Sequence, residues 1–393
     1  WSSDVCSSDL AMNNVHNQAR KVSSGLKSAT SDMERFGKEA GMAVKRAGAF
    51  ALATGGIFGL VRAMSSGISK AIEFESGVVK LMQVTKTSKE GLKGLTDEID
   101  RLSVGLGTSS SELLEVSKIF TQAGLSINDT KIAMEAVAKS TLAPSFDNII
   151  NTTEGLIAVV GQFKDEMTGA GIGVKDFEKV LGSINRVSAD FAVEADDIVS
   201  AIRKTGGVFA TASRGIGTPV EQLNELMAVF TSVRATTRES ADSIATGLRT
   251  IFTRLQRPQT IELLKELGVE LQDVEGKFVG PYKAIQLLGK AFSTVDTRSP
   301  LFAQVTEELG GIRQIGKLIP AIKQYAEAQK VLETAQKGQG SLNEDAAISQ
   351  LSLSNRIAKT REEFLKLVRD ISNTESFQFL IRGALSLADG FIR

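Results

Sequence analysis

The sequence predicts an all-α protein, and three observations support that prediction. Proline and aromatic residues are scarce, with 6 Pro and an aromatic content of 6% in 393 residues, whereas glycine is plentiful at 36. Sheet proteins favour aromatic and β-branched residues, so this composition indicates helices that meet through small side chains. The other two observations are a long stripe of apolar residues near the start of the chain and a recurring helix-start motif.

The stripe belongs to a helix whose apolar or small residues recur at alternating intervals of four and three. A period of 3.5 residues over more than four heptads predicts left-handed supercoiling against a partner helix. Coiled-coil packing, between copies or within the chain, is favoured over an ordinary amphipathic helix because most other positions are polar. The stripe consists of Val15, Ala19, Val22, Leu26, Ala29, Met33, Phe36, Ala40, Ala43 and Ala47.

The segment before this helix, residues 1–10, does not look like part of the fold. It reads WSSDVCSSDL and holds the only Trp and the only Cys of the chain. It can be written codon by codon as a common sequencing-library adapter, so we expect an assembly scar. A fragment truncated at its start is then expected. Arg393 falls inside a helical pattern without a C-cap signal, which indicates truncation at the other end as well.

An uncharged segment, Ala47–Val61, follows the stripe. It is shorter than the roughly 20 apolar residues that a membrane-spanning helix needs. Buried core is therefore the favoured interpretation. A transient membrane role stays open, because the four glycines of the segment allow a helix to bend or to pack closely.

Capping boxes then recur along the chain. In each box a Ser or Thr hydroxyl can accept from the backbone N–H three residues on, and a Glu side chain can reach back. They predict short helices joined by tight turns, and hence a multi-helical core of αα-hairpins. Ser126–Ala138 and Thr218–Phe230 share one helix-start pattern, either by duplication or by chance. The boxes are Thr87–Glu90, Ser109–Glu112, Thr218–Glu221, Thr236–Glu239 and Ser341–Glu344, and Ser299-Pro300 fits the same pattern.

Two further features complete the predicted fold. Glu275-Gly276 lies between short β-compatible runs, which predicts a small β-hairpin over Val269–Gly280. From Ala346 onward, long coiled-coil-like helices are expected again. The first of them has one apolar face of Ile357, Phe364, Val368 and Ile371, and the second has Phe377, Leu380, Ile381, Ala384, Leu387 and Phe391.

The residues needed for common enzyme chemistry are sparse. Beyond Cys6 there is no thiol for a disulfide or a thiolate zinc site, and His16, the only histidine, fits a solvated helix surface. GAGIG at residues 169–173 follows a helix rather than a strand, so a linker is favoured over a phosphate loop. Asp196 and Asp197 fit the first turn of a helix. We therefore predict no enzyme, no catalytic or metal-ligating residue and no cofactor.

Charge is balanced overall, with 46 basic and 46 acidic residues, so no sequence-specific nucleic-acid binding is expected. One local bias interrupts this balance between residues 234 and 257, where only Glu239 and Asp242 are acidic. Arginine side chains there could bind DNA phosphates or carboxylates of another subunit, and the sequence leaves the two open. A solvated helix face is favoured over both. The arginines are Arg234, Arg238, Arg249, Arg254 and Arg257.

A series of short phrases occurs within Arg234–Phe292: Leu248-Arg249, Phe252, Arg254-Leu255, Leu267-Gly268-Val269, Asp273 and Gly276-Lys277-Phe278. With these phrases, the region resembles the core region of phage tail tape-measure proteins. Further phrases of that family appear in order over about residues 70–390: an entry helix at Ala71–Thr85, a helical hairpin at Leu106–Ser126 and a Gly-Gly segment at Glu307–Ile322.

The resemblance implies a structural protein that sets tail length, templates tail-tube assembly and is ejected ahead of DNA. It implies a place in the tail lumen of the virion, and in the host cytoplasm during assembly. Expected partners are further copies of the chain, the tail-tube protein, tail chaperones and tail-tip or baseplate proteins; contact with the host membrane stays open. No catalytic residue is implied.

Two alternatives remain at this point. One is a membrane-perturbing helical protein, and the other is a peptidoglycan-cleaving tail enzyme whose catalytic part lies outside this chain. The expected organisation is the scar at 1–10, the coiled-coil-like helix and apolar segment at 11–69, the helical core at 70–336 and the start of a long-helix region at 337–393.

Overall fold

The computed structural model describes residues 56–164, 169–293 and 298–372, and these residues form fifteen α-helices and no β-strand. The all-α prediction is confirmed. The helices are α1 (Gly56–Thr85), α2 (Lys89–Leu106), α3 (Ser110–Gln122), α4 (Ile127–Ser140), α5 (Ile149–Gln162), α6 (Phe177–Phe191), α7 (Ala195–Ala212), α8 (Pro219–Thr237), α9 (Ala241–Leu255), α10 (Pro258–Glu266), α11 (Pro281–Phe292), α12 (Pro300–Lys323), α13 (Tyr325–Lys337), α14 (Ser341–Ser349) and α15 (Leu353–Ser372).

The described residues fall into two compact units. The core unit contains residues 81–102 and 112–352, and the terminal unit contains residues 56–80, 103–111 and 353–372. The domain boundaries expected near residues 70 and 336 stay predictions.

Helix α8 is the central helix of the core unit. Between Gln222 and Val233 every residue except Glu225 is buried, and α8 packs against α7, α12 and α13. A helix that is buried on nearly every side lacks an exposed polar face. Its sequence therefore has no amphipathic pattern from which its central position could be predicted.

Aromatic side chains fill the gaps between the helices of the core unit. Three pairs of rings lie with centroids 5.1 to 6.0 Å apart, and two of these pairs are edge-to-face. Such pairs stabilise a core beyond the area that they bury. The pairs are Phe120–Phe177, Phe209–Phe252 and Phe292–Phe302.

One contact in the core unit brings two stretches of backbone together. A Cβ atom on Gly182 of α6 would lie 2.3 Å from the carbonyl oxygen of Gln339, in the 3-10 turn Gly338–Gly340. Ser341 donates a 2.8 Å hydrogen bond to the Gly182 carbonyl, and Ser183 donates one of 2.7 Å to the carbonyl of Ala335. Only glycine permits this approach at position 182.

The predicted helix starts are partly correct. The box at Thr218–Glu221 forms in full: the Thr218 hydroxyl accepts from the Glu221 N–H, and the Glu221 carboxylate accepts from the Thr218 N–H at 2.7 Å. Ser299 caps α12, as its Pro successor indicated. Helix α3 begins directly after Ser109, where the box predicted it. Ser126 caps α4, so both members of the aligned pair start helices.

The other three starts require corrections or shifts. At Thr87–Glu90 the hydroxyl that accepts from the helix is that of Ser88, one residue later. Thr236 lies inside α8, which runs on to Thr237, and Ser240 caps the next helix instead. Ser341 is the first residue of α14 rather than its cap, because its hydroxyl is bound to the Gly182 carbonyl.

The hairpin predicted at 269–280 does not form as a pair of strands. The segment has a single antiparallel bridge, between Gln272 and Phe278. The Asp273 carboxylate accepts from the N–H groups of Glu275 and Lys277, both at 2.9 Å, and closes a tight turn. The side-chain bonds of Asp273 thus satisfy donors that a strand ladder would otherwise have used.

The terminal unit is held together in part by polar side chains of α15. Asn355, Glu362 and Arg369 recur every seven residues and are 7%, 5% and 6% exposed, although the sequence predicted an apolar face. Of that face, Val368 is buried but Ile357 is 50% exposed, which corrects the prediction.

Several predictions lie outside the described residues. These concern the stripe from Val15 to Ala47, Cys6, His16, most of Ala47–Val61 and the pattern from Phe377 to Phe391. Among the described helices, none is both long enough and apolar enough to cross a membrane.

Candidate functional site

Two of the sequence phrases that carry the family resemblance meet in the core unit. The Leu-Arg…Phe…Arg-Leu phrase lies in the second half of α9, with Leu248, Phe252 and Leu255 fully buried. The Gly-Gly phrase lies in the middle of α12, and α9 packs along α12. The junction between these helices is the candidate functional site.

At this junction α12 is broken. Gly311 has φ 61° and ψ 174°, so the residues before it and after it form separate helical halves. A side chain at this φ would be strained, and a Cβ would lie 3.3 Å from Arg254 Nη1. Position 311 therefore requires glycine both for its conformation and for the space that the arginine occupies.

Arg254 caps the first half of α12. Its Nη1 donates to the carbonyl oxygens of Glu307 and Glu308, at 3.1 and 3.0 Å. These carbonyls lie in the last turn before the break, where a helix lacks some of its internal donors and its dipole favours a cation. The Glu308 carboxylate also accepts a 3.0 Å hydrogen bond from Thr260, which is fully buried.

The second half of α12 is held by a different group of contacts. Lys317 forms a 2.7 Å ion pair with Glu239, and the lysine side chain is only 13% exposed. Proximity to this ammonium and a hydrogen bond from Ser243 lower the pKa of Glu239. Gly247 of α9 leaves the space into which Gln314 and Lys317 fit. The two halves of α12 therefore contact α9 through separate sets of side chains.

The structure divides the arginines of residues 234–257 into two groups. Arg234 forms a 2.7 Å ion pair with Asp197, Arg238 donates to the carbonyl of Ala192, and Arg254 caps α12. These three contacts stabilise the fold; Arg234 and Arg254 are partly buried, whereas Arg238 is exposed, as the interpretation as a solvated helix face expects. Arg249 and Arg257 are exposed, and their side chains have no partner among the described residues.

The carboxylates considered from the sequence have structural partners. Asp196 and Asp197 lie in the first turn of α7, as predicted. Asp196 accepts a 2.9 Å hydrogen bond from the Asn151 amide, and Asp197 pairs with Arg234. This arrangement leaves both carboxylates bound to neighbours on other helices.

Glu225 is the unusual acid of the core unit. Partial burial of its side chain against α8 and the neighbouring helices, together with the charge of Glu221 one turn earlier, raises the pKa of Glu225 to about 7. The nearby Tyr282 hydroxyl is buried without a hydrogen-bond partner, and burial and the charges of Glu225 and Glu333 raise its pKa to about 12. Sequence analysis did not find this group, because its partial burial comes from packing against other helices.

The described residues offer little that resembles a ligand site. A surface pocket of about 280 Å³ is lined by the cationic side chains of Lys164 and Arg214 and by Gly215 and Gly217. No group of three or more His, Cys, Asp or Glu residues within the described ranges could hold a metal ion. The best-defined group of interacting residues in the core unit is thus Arg254 with the carbonyls that precede the break of α12 at Gly311.

Sequence reasoning recognised Arg254 and the Gly-Gly segment separately but missed their contact. It also missed Thr260, Glu308 and the pair of Glu239 with Lys317. The usable signal was the adjacent glycines in an otherwise helical pattern, since a Gly near the end of a helical segment commonly marks a C-terminal cap. The partner that supplies the capping donor lies more than fifty residues earlier, and only the fold identifies it.

Comparison with known proteins places these features in a family. No solved structure matches the chain. A model of the family described as phage-related minor tail protein matches residues 96–311, which is more than half of the chain. The matched range includes the Arg254 cap and both glycines at the break of α12. The chain therefore belongs to the phage-related minor tail protein family.

Proposed function

We propose that the chain is the core region of a tail tape-measure protein, which sets the length of the phage tail and templates its tube. The family gives a structural role in the tail. The observation that carries the finer assignment is the ordered series of tape-measure phrases from about residue 70 to 390, two of which form one junction at Arg254 and Gly311.

The helical architecture supports this proposal. A helix rises about 1.5 Å per residue, so its length is proportional to the number of residues in it. A ruler needs that proportionality and no reactive side chain. In this proposal the stripe from Val15 to Ala47 packs between copies of the chain in the tail lumen. The tail-tube protein, tail chaperones and tail-tip proteins are the other partners, and the protein leaves ahead of the DNA.

We propose that the chain has no enzymatic activity of its own. The prominent carboxylates Asp196 and Asp197 are bound to Asn151 and Arg234 rather than facing an open cleft. Zymography of the purified chain against bacterial cell walls should show no clearing. A cleared zone that persists in an Asp196→Asn, Asp197→Asn variant would reveal a catalytic group elsewhere.

The tail-length test uses in-frame deletions of whole heptads. Deleting Val22–Ser28 from a cognate phage removes seven residues, or about 10 Å of helix, and keeps the stripe in register. A series that removes one to four heptads should give infectious particles whose tails shorten in proportion. Tail lengths are measured by electron microscopy.

A matched control keeps the length and changes the sequence. Replacing Val22–Ser28 by a second copy of the next heptad, residues 29–35, preserves both the period and the residue count, so tail length should not change. Insertion of three residues instead breaks the register and should impair assembly. Tails of unchanged length across the deletion series would rule out the ruler function.

A further inference from the structure

The surface pocket of the core unit that contains Lys164 and Arg214 lies between two loops. Lys164 follows α5, and Arg214 belongs to the loop 213–218, which leads from α7 to α8. The pocket has a volume of about 280 Å³, whereas sites for drug-sized molecules typically measure about 300–1,000 Å³. The pocket therefore suits a small ligand.

The backbone on each side of this pocket is anchored. Lys164 forms an antiparallel bridge with Gly171. In the opposite loop, Gln222 of α8, which is only 7% exposed, donates from its side-chain amide to the carbonyls of Ser213 and Ile216, at 2.9 and 3.0 Å. A buried amide with two acceptors in one loop fixes the path of that loop. The positions of both cationic residues are thus set by the fold.

The charge of the pocket is positive. Among its described lining residues only Lys164 and Arg214 are charged; both are exposed, and neither has an acidic partner among the residues that the structure describes. By contrast, Lys204 of α7 forms a 2.6 Å ion pair with Asp242. Two cations beside one concave surface attract an anion, because the positive potentials of the two groups add there.

The loop 213–218 also offers backbone donors. Gly215 and Gly217 have positive φ angles of 77° and 65°, and neither N–H has an acceptor among the described residues. Backbone N–H groups in turns of this kind commonly bind anions. The start of α8 adds little, because the Glu221 carboxylate already accepts from the Thr218 N–H. The two glycine N–H groups therefore remain available as donors beside the two cations.

A phosphate group matches this charge better than a carboxylate does. Near pH 7 a phosphate ester carries about 1.5 to 2 negative charges, whereas a carboxylate carries about 1. A guanidinium can donate two parallel hydrogen bonds to phosphate oxygens, and an ammonium acts as a compact charge. Two cations with N–H donors nearby therefore favour phosphate over a singly charged anion.

We propose that this pocket binds a phosphate group, which the Lys164 ammonium and the Arg214 guanidinium contact from the two loops. The N–H groups of Gly215 and Gly217 supply further hydrogen bonds. The inference goes beyond the tape-measure assignment and does not depend on it. A free phosphate and a nucleic-acid strand offer the same chemistry, and the experiments separate these two sources.

Isothermal titration calorimetry at low ionic strength tests this proposal with inorganic phosphate as the probe. The purified chain should bind phosphate saturably and acetate at least about tenfold more weakly, because acetate carries less charge. Lys164→Gln and Arg214→Gln should each weaken phosphate binding by about tenfold or more, since each removes a hydrogen bond to a charged group. Lys164→Arg keeps the charge and should retain binding.

Arg249→Gln is the matched control. Arg249 is exposed, like Arg214, and has no side-chain partner among the described residues, so its replacement changes the net charge by the same amount. The dissociation constant of this variant for phosphate should equal that of the wild type. The proposal is overturned if the wild type shows no saturable binding of phosphate, or if Arg249→Gln weakens binding as much as Arg214→Gln does.

A second probe identifies the source of the phosphate. An oligothymidylate without terminal phosphates offers only backbone phosphodiesters. If it binds more tightly than inorganic phosphate and Lys164→Gln weakens this binding, the site takes a nucleic-acid strand. Weaker binding of the oligothymidylate, or none, assigns the site to free phosphate.

Hydrogen exchange of the unaltered protein locates the bound phosphate without any variant. Addition of phosphate should slow exchange of the Gly215 and Gly217 amides and leave exchange in the turn at residues 274–277 unchanged. Protection of both segments, or of neither, would contradict binding in this pocket.

Discussion

The core unit and the terminal unit use different chemistry to hold their helices. In the core unit, phenylalanine rings and closely packed small residues bury the helix surfaces, and α8 is enclosed on nearly every side. In the terminal unit, α15 buries an acid, a base and an amide: Glu362, Arg369 and Asn355.

The polar contacts of the terminal unit are specific in direction. Glu362 accepts from the N–H of Ser110 at 3.3 Å, at the first residue of α3, where a helix favours negative charge. Arg369 donates to the Ser110 hydroxyl at 3.0 Å and stacks over the Phe74 ring at 4.5 Å. Apolar packing tolerates small shifts, whereas these hydrogen bonds fix one register. The terminal unit therefore combines a small apolar cluster around Ala71 and Val368 with directional polar contacts.

The largest expected effect is in the apolar core. Phe252 is fully buried and packs edge-to-face on Phe209 with centroids 5.1 Å apart. Phe252→Ala should lower the free energy of unfolding of the core unit by about 3–5 kcal/mol, because it removes a ring and leaves a cavity. Urea denaturation measures this change in the free energy of unfolding. Val274→Ala, at a fully exposed position, should change it by less than about 0.5 kcal/mol. Equal effects of the two changes would contradict the assigned core.

The next effect depends on pH, and it comes from Glu225. Its folded-state pKa is about 7, above the value of 4.5 that is usual for a glutamate, so between these values the folded state binds more protons than the unfolded state. Stability should therefore fall as pH rises from 4.5 to 7, by up to about 3 kcal/mol. Glu225→Gln should remove this dependence. Denaturation at pH 5 and pH 8 compares the two proteins, and an identical pH profile would show that Glu225 is not responsible.

A smaller and local effect is expected in the terminal unit. Glu362→Ala removes a buried acceptor from the Ser110 N–H and should cost about 2 kcal/mol. Hydrogen exchange should show the loss in α15 and at the start of α3 but not in α8. Glu363→Ala, at the adjacent exposed position, is the control and should have almost no effect. If both changes act alike, burial of Glu362 is not what orders the unit.

The smallest expected effect on stability compares Thr218, which caps a helix as predicted, with Thr236, which was predicted to cap a helix but lies inside one. Thr218→Ala removes the acceptor of a complete capping box and should cost about 1 kcal/mol. Thr236→Ala should cost less, because that hydroxyl only donates to the Ser232 carbonyl inside α8. Thermal unfolding of both variants gives the comparison. A larger loss at Thr236 would mean that the cap at Thr218 does little for α8.

Local signals were enough to predict the helices but not their partners. Thr218-Pro219 and Ser299-Pro300 mark helix starts because a hydroxyl cap and a following proline act within one turn. Thr236 begins a capping-box sequence of the same kind, but it lies inside a helix. Helix α8 is stabilised by packing and extends to Thr237, and Ser240 caps the next helix instead. Tertiary burial outweighs a cap that contributes about 1 kcal/mol.

Buried polar residues were the main failure of sequence reasoning. Asn355, Glu362 and Arg369 share one face at a spacing of seven, and a polar face predicts solvent exposure unless its partners are known. Those partners, the Leu106 carbonyl and Ser110, lie about 250 residues earlier. The capping role of Arg254 was missed for the same reason. The sequence shows that arginines are concentrated between residues 234 and 257, but it does not show which carbonyls they bind.

The close approach of Gly182 to Gln339 has a consequence for synthesis of the chain. Hydrogen bonds join α6 to the last turn of α13 and to the segment that follows it, among them Ser183 to Ala335, Ser341 to Gly182 and Asn185 to the Asp345 carboxylate. Each joins residues more than 150 positions apart. A ribosome adds about 5–20 residues per second, so α6 waits roughly 10–30 s for the segment that covers it.

During that interval the apolar side of α6 has no cover from this late segment. Folding of the core unit is therefore completed late, since contacts between distant residues form only after the loop between them has closed. Nascent chains released before residue 345 should expose this surface and associate with one another, whereas chains that extend past it should not. The close contact at Gly182 therefore makes burial of α6 depend on a segment that is synthesised late, and the nascent chain is expected to resist aggregation only once that segment is present.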